Sequence, residues 1–201
     1  MRIVDDIEQQ IQRSEVGTLF FVSDFAKTGN DVFISCLLSE FAEKGLLCRL
    51  AKGVYYKPIQ TRFGILYPEV GDLVKAIARR DNAQVLPTGE TAQNMLGLST
   101  QVPMKYVYLT SGSARKIEVG PRTVTFKRCV PKNFAARNEF LAILIQAMKS
   151  IGENRMTDKH RTVIKGLLQK NLPIDTFEQD LKVAPIWVRK TIWNIAKEIE
   201  L

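Results

Sequence analysis

Apolar residues recur along the chain at two spacings, and each change of spacing marks an element. Ile3, Val4, Ile7 and Ile11 fall at helical intervals, so residues 3–14 read as an amphipathic helix that Gly17 ends. The run Thr18–Val22 is β-prone. Ser23 is placed to cap a brief helix over Asp24–Thr28. A Gly29-Asn30 turn follows, and Asn30 is placed to cap a third helix, Asp31–Lys44. That helix carries Ile34, Leu37, Leu38 and Phe41 on one stripe, and Gly45 sits just past its end. Two short strands, Leu46–Leu50 and Val54–Lys57, then flank a turn at Ala51-Lys52-Gly53, and Pro58 stops the second.

Helix, strand, helix, turn, helix, hairpin is the order of a winged helix-turn-helix, expected over residues 1–58. Residues 59–67 read as a linker. Pro68 opens a helix with acidic Glu69 and Asp72 first, Arg79-Arg80 last, and Val70, Leu73, Val74 and Ile77 on its buried face. A β-prone run follows at residues 83–86. Thr88 is placed to cap a short helix that ends near Gly97. Lys105–Thr110, Arg115–Gly120 and Pro121–Val130 read as strands, the last two joined at Gly120-Pro121. Residues 68–135 are therefore expected to be an α/β domain. Residues 136–201 read as helix only, with stripes at Phe140/Leu141/Leu144/Ile145, Val163/Ile164/Leu167/Leu168 and Ile192/Ile195/Ala196/Ile199. The fold class is α+β.

Charge adds a direction. The chain carries 29 Lys+Arg against 21 Asp+Glu, net +8, which suggests an acidic partner, most often nucleic acid. The excess is uneven. Residues 1–60 hold seven basic and eight acidic side chains, net −1. Residues 61–135 hold eleven and five, net +6, and residues 136–201 eleven and eight, net +3. In the hairpin at residues 46–57, Arg49, Lys52 and Lys57 sit where a wing would reach phosphate oxygens. A helix–hairpin packing unit with solvated charges is the alternative. Arg115, Lys116, Arg122, Lys127, Arg128 and Lys132 gather around the second hairpin. They suit a surface for an acidic partner or, equally, a β-edge kept soluble by charge.

Catalytic chemistry finds little support. No GxxxxGK[ST], GxGxxG or HExxH motif is present. Cys36, Cys48 and Cys129 lack metal-site spacing and read as reduced, small apolar residues, so neither a metal nor a cofactor is expected. His160, the one histidine, lies on a polar helix start and reads as a solvated residue. Asp180-Leu181-Lys182 has the letters of a nuclease metal site, but in a helix residues two apart diverge. No run approaches the roughly eighteen apolar residues of a membrane span. The N-terminus is acidic by Asp5, unlike a signal peptide, so a cytoplasmic protein is expected.

The block Pro87–Pro103, "PTGETAQNMLGLSTQVP", together with "GTLFFVSDF" and "RLAKGVYYKP", resembles the AbiEi-type antitoxins of bacterial type IV toxin–antitoxin (abortive infection) systems. The resemblance covers roughly residues 3–135. It implies a DNA-binding antitoxin and transcriptional autorepressor, not an enzyme. Its winged helix would bind its own promoter, as a homodimer where the operator is palindromic. Its following domain would counteract a nucleotidyltransferase-like toxin without a stable complex. Carried over by position, the DNA-reading surface is Thr28, Asn30, Val32, Ser35, Cys36 and Ser39, with Arg49, Lys52 and Lys57 on the wing. The antitoxin surface falls on Arg115, Lys116, Arg122, Lys127, Arg128 and Lys132. One departure is Glu40, where this family often has Arg after the serine; a carboxylate there repels phosphate. The alternative function is a winged-helix protein-interaction module with no operator.

Overall fold

The N-terminal apolar stripes find each other first. Helix α1 (Ile3–Arg13) presents Ile7 and Ile11, four residues apart, and helix α2 (Asp31–Glu43) presents Ile34, Leu37, Leu38 and Phe41; all six are buried. They close one core with Phe20, Phe25, Leu47 and Tyr55. In the computed structural model, which describes residues 3–171 and 175–199, the chain is an α+β protein of two compact units. One runs up to Asn82 and includes Lys116–Thr123; the other comprises Ala83–Arg115 and the chain from Val124 onward. Residues 172–174 and 200–201 of the expected helical tail lie outside the described residues.

In the first unit, β1 (Leu19–Phe21), β2 (Cys48–Ala51) and β3 (Val54–Tyr56) form an antiparallel sheet in the order β1-β3-β2. Leu19 pairs with Tyr56 on one side of β3, and Cys48 pairs with Tyr56 on the other. The expected helix at Asp24–Thr28 is instead a 3₁₀ turn at Val22–Phe25. Its cap is not Ser23: the Asp24 carboxylate accepts the Phe21 N–H at 2.8 Å, so the turn closes one step earlier. Burial raises the Asp24 pKa, while that hydrogen bond and the nearby Arg80 charge pull the other way.

Residues 59–67, expected to be a linker, form a hairpin of β4 (Ile59–Thr61) and β5 (Gly64–Leu66). Both strands are largely exposed, which is why their weak apolar pattern looked like a loop. Phe63 at the tip is 85% exposed, and the Arg62 guanidinium lies 4.6 Å from its ring centroid. Helix α3 (Val70–Arg80) follows, with Val70, Leu73, Val74 and Ile77 buried as expected. It clusters with the first unit, so the boundary falls near residue 82 rather than at 59–67.

A second close approach belongs to the same unit. At Gly120 φ is +59°, and a Cβ there would stand 2.7 Å from two carbons of the Tyr67 ring. Only glycine meets both the left-handed backbone and the ring.

The larger sheet has the order β6-β7-β9-β8, from β6 (Val85–Pro87), β7 (Lys105–Thr110), β8 (Arg115–Val119) and β9 (Arg122–Arg128). Helix α4 (Glu90–Met95) starts one residue after Gly89 (φ +63°), which takes the cap position expected of Thr88. The long helix α5 (Glu139–Ile151) is buried continuously from Leu141 to Met148. Around it α6 (Asp158–Asn171), α7 (Phe177–Leu181) and α8 (Ile186–Lys197) complete the second core. Among the described residues no helix is long and apolar enough to cross a membrane. The cysteines differ from expectation: all three are free, but Cys36 is exposed and the other two are half-buried, so none serves as a sealed core residue.

Two buried polar groups test these cores. Asp180 on α7 is 1% exposed, and its two carboxylate oxygens accept the N–H groups of Arg137 at 2.8 Å and Asn138 at 2.9 Å. Hydrogen bonds to a charged group are worth about 1.5–3 kcal/mol each, so Asp180→Ala is expected to cost about 3 kcal/mol or more in denaturant unfolding. Tyr56 has the opposite status. Its hydroxyl is buried without a hydrogen-bond partner; burial and the adjacent Cys48 raise the phenol's pKa. Tyr56→Phe removes that unsatisfied group, so unfolding should show a gain of about 1 kcal/mol rather than a loss.

Candidate nucleic-acid interface

The residues expected to read DNA lie on and just before α2. Thr28 is half-buried in the preceding turn, with its N–H on the Phe25 carbonyl at 2.9 Å. Asn30 is the helix cap: its Oδ1 accepts the Phe33 N–H at 2.8 Å, which occupies the oxygen that an adenine contact would use. Ser39 is also engaged. Its hydroxyl donates to the Ser35 carbonyl or meets the Tyr55 hydroxyl, each at 2.9 Å, and so ties α2 to β3. That leaves Val32, 75% exposed, the exposed Cys36 and the half-buried Ser35 as outward groups without such duties.

Glu40 is exposed beside them, but Lys44 one turn later holds its carboxylate at 2.6 Å. That hydrogen bond, and then the Glu40 charge, raise the Lys44 pKa. The repulsion expected of Glu40 toward phosphate is therefore partly neutralised within the helix.

The β2–β3 hairpin separates its three cations. Between Arg49 and Ala51 the pairing register shifts, and the two strands meet again at Ala51↔Val54. Arg49 is exposed, its guanidinium 5.9 Å from the Tyr55 ring centroid. Lys52 is exposed at the turn, which the positive φ of Gly53 (+70°) closes. Lys57 differs. Its ammonium donates to the carbonyls of Ile11 at 3.0 Å, Gln12 at 2.7 Å and Ser14 at 2.7 Å. These carbonyls lie at and just past the C-terminal end of α1, where a cation is favoured; that of Ile11 also accepts the Ser14 hydroxyl at 2.7 Å. Lys57 is thus a helix C-cap and has no donor to spare for phosphate.

Among the exposed cations of the same unit that the sequence does not single out are Lys27 and Arg62. Lys27 stands in the turn before α2, and Arg62 at the β4–β5 tip. The signal for Arg62 was present as Arg62-Phe63-Gly64 between two β-prone triplets. A nearby cleft of about 690 Å³ takes its only charged lining from Glu43, Arg49 and Glu118, so its charge does not favour an anion.

The second basic group is not one set of free cations. Lys116 pairs with Glu118 at 3.3 Å and Arg122 with Glu69 at 3.7 Å, and Arg115 is half-buried. Lys127 and Arg128 are exposed but adjacent on β9, so they point to opposite faces. Lys132 is exposed in the 3₁₀ turn Pro131–Phe134. His160 accepts the Thr157 N–H at Nδ1, 3.2 Å, as part of the start of α6. Among the described residues no group of three His, Cys, Asp or Glu side chains is placed to hold a metal ion.

The division between Lys57 and Lys52 is open to direct test. Lys57→Met should lower stability by about 2 kcal/mol, because three carbonyls lose a charged donor. Lys52→Met should change it by less than about 0.5 kcal/mol, as exposed substitutions do. Thermal unfolding of both variants checks this; equal stability would deny Lys57 its capping role.

No curated protein matches the chain in sequence. A family model does, over residues 6–175, a span that takes in the N-terminal unit, the larger sheet and the helices α5 and α6. By that match the chain belongs to DUF6088, a family of unknown function.

Proposed function

We propose that the chain is a double-stranded-DNA-binding regulator whose N-terminal unit acts as a winged helix-turn-helix. The observation that supports this reading is the sheet order β1-β3-β2, with α1 before it and α2 leading directly into the β2–β3 hairpin. In that arrangement α2 enters the major groove and the hairpin lies along the backbone. Arg49, Lys52 and Lys27 meet phosphates; Val32 and Cys36 offer apolar contact to thymine methyl groups, and Ser35 a hydroxyl to base edges. No arginine is offered to guanine, so shape and phosphate contacts carry much of the affinity. The wider role implied by the resemblance, an autorepressor that counteracts a nucleotidyltransferase-like toxin, is the setting we propose for this binding.

A second reading has its own observation. Val32 and Phe33 at the start of α2 are 75% and 41% exposed, and the exposed acids Asp31, Glu40 and Glu43 accompany them. Such a face would also suit a protein partner.

Fluorescence anisotropy on the chain's own promoter fragment separates the two. With three contacts from each of two protomers, about six in all, affinity should fall roughly a thousandfold between about 50 and 200 mM salt. Lys52→Ala should weaken binding to promoter and random duplex alike and flatten the salt slope by about one unit per protomer. Val32→Ala should instead change the preference between them. Equal, weak binding to promoter and random duplex at low salt would sink the operator and leave the protein-docking reading.

A further inference from the structure

The second unit holds a cavity of about 390 Å³ whose lining includes Lys132, Lys149, Lys182 and Arg189 and no carboxylate. Among the described residues none of these four cations is in an ion pair. Like charges gathered without a counter-ion repel one another, so the arrangement is favourable only when something negative joins it.

Two further features point the same way. The chain enters α8 at the cavity through Pro185, which has no side chain able to cap the helix, so the first N–H groups of α8 bring the positive end of its dipole there. The wall also contains Gln146, the one polar residue in the buried run Leu141–Met148, only 6% exposed. Its Oε1 receives the Thr88 hydroxyl at a long 3.4 Å, and its Nε2 has no partner. Turning the amide over would exchange its two ends and still leave one unsatisfied. That free end is not sealed away from solvent, so it is open to a partner, and a ligand acceptor in the cavity would supply one.

We propose that this cavity binds a small molecule carrying a phosphate group. The four cations and the α8 N-terminus hold the phosphate, and Gln146 donates to one of its oxygens. Ala142, Ile145, Val183 and Ile186 in the same wall give an apolar bed for the rest of the molecule. The volume is that of a small-ligand site and is too small for a duplex. This proposal does not rest on the DNA-binding reading of the N-terminal unit.

The test uses the full chain and inorganic pyrophosphate, followed by calorimetry and by ³¹P NMR at constant ionic strength. Saturable binding with one site per chain is expected. Lys149→Gln and Arg189→Gln should each weaken it about tenfold, the loss of one charged hydrogen bond. Gln146→Met keeps the buried volume and should also weaken binding. Lys52→Ala should bind pyrophosphate as the native chain does. Melting curves identify any variant that is misfolded, and the two surface substitutions keep the test open if Gln146→Met is. Absence of saturation, or equal affinity in Lys149→Gln and Arg189→Gln, would overturn the proposal. So would loss of duplex-DNA binding in those two variants without pyrophosphate competition, which would make the cations part of a nucleic-acid surface.

Discussion

Strand β3 is three residues long, and the N-terminal unit depends on it. Val54, Tyr55 and Tyr56 are all buried, and the strand is paired on both edges, to β1 and to β2. A strand covered on both faces and both edges has no freedom to slip, because a one-residue shift would exchange every contact at once. The residue that follows fixes it lengthwise, since Lys57 grips the end of α1 through three carbonyls. From the side, the Tyr55 hydroxyl meets Ser39 and sets the roll of α2. The outward face of α2 is therefore a consequence of β3 and of the hydrogen bonds around it.

The second unit relies on a helix instead. Helix α5 is apolar on nearly all sides, so it has to be surrounded, and α4, α6, α7 and α8 with β6 supply the surroundings. Its N-terminus is held twice, by its own Asn138, whose side chain accepts the Leu141 N–H at 3.0 Å, and by Asp180 from α7. A carboxylate buried at that end answers both the free N–H groups and the dipole. The same Asp180 has the letters of a nuclease acid in sequence, but its oxygens are committed to backbone donors.

What the sequence made legible follows from the strength of its periodic signals. The stripes of α2 and α3 name their buried residues correctly because each is a repeated apolar choice over three turns, whereas of the four α1 positions only Ile7 and Ile11 are buried and Ile3 is exposed. The Asn30 cap and the Gly45 turn were equally readable, since few residues fit those positions. The β4–β5 hairpin was missed because exposed strands need no apolar alternation. The 3₁₀ turn was displaced because its capping group, Asp24, lies inside it rather than ahead of it. Side-chain duty was the least legible property. Lys52 and Lys57 look alike in sequence, yet one is exposed in a turn and the other completes a helix through carbonyls more than forty positions away. Of the pocket cations only Lys132 stood out in sequence, and then with the second hairpin; Lys149, Lys182 and Arg189 did not, as the lining comes from three separated segments.

The contact between Gly120 and Tyr67 joins positions that are far apart along the chain, and it has a consequence for descent. A side chain at 120 would force the Tyr67 ring from its present place, because its first carbon would stand 2.7 Å from two ring carbons. A lineage that changed position 120 would have to give up the ring or move it. With an aromatic residue at 67, position 120 is held to glycine by both sterics and backbone; a small residue at 67 would lift the steric half and leave only the backbone half.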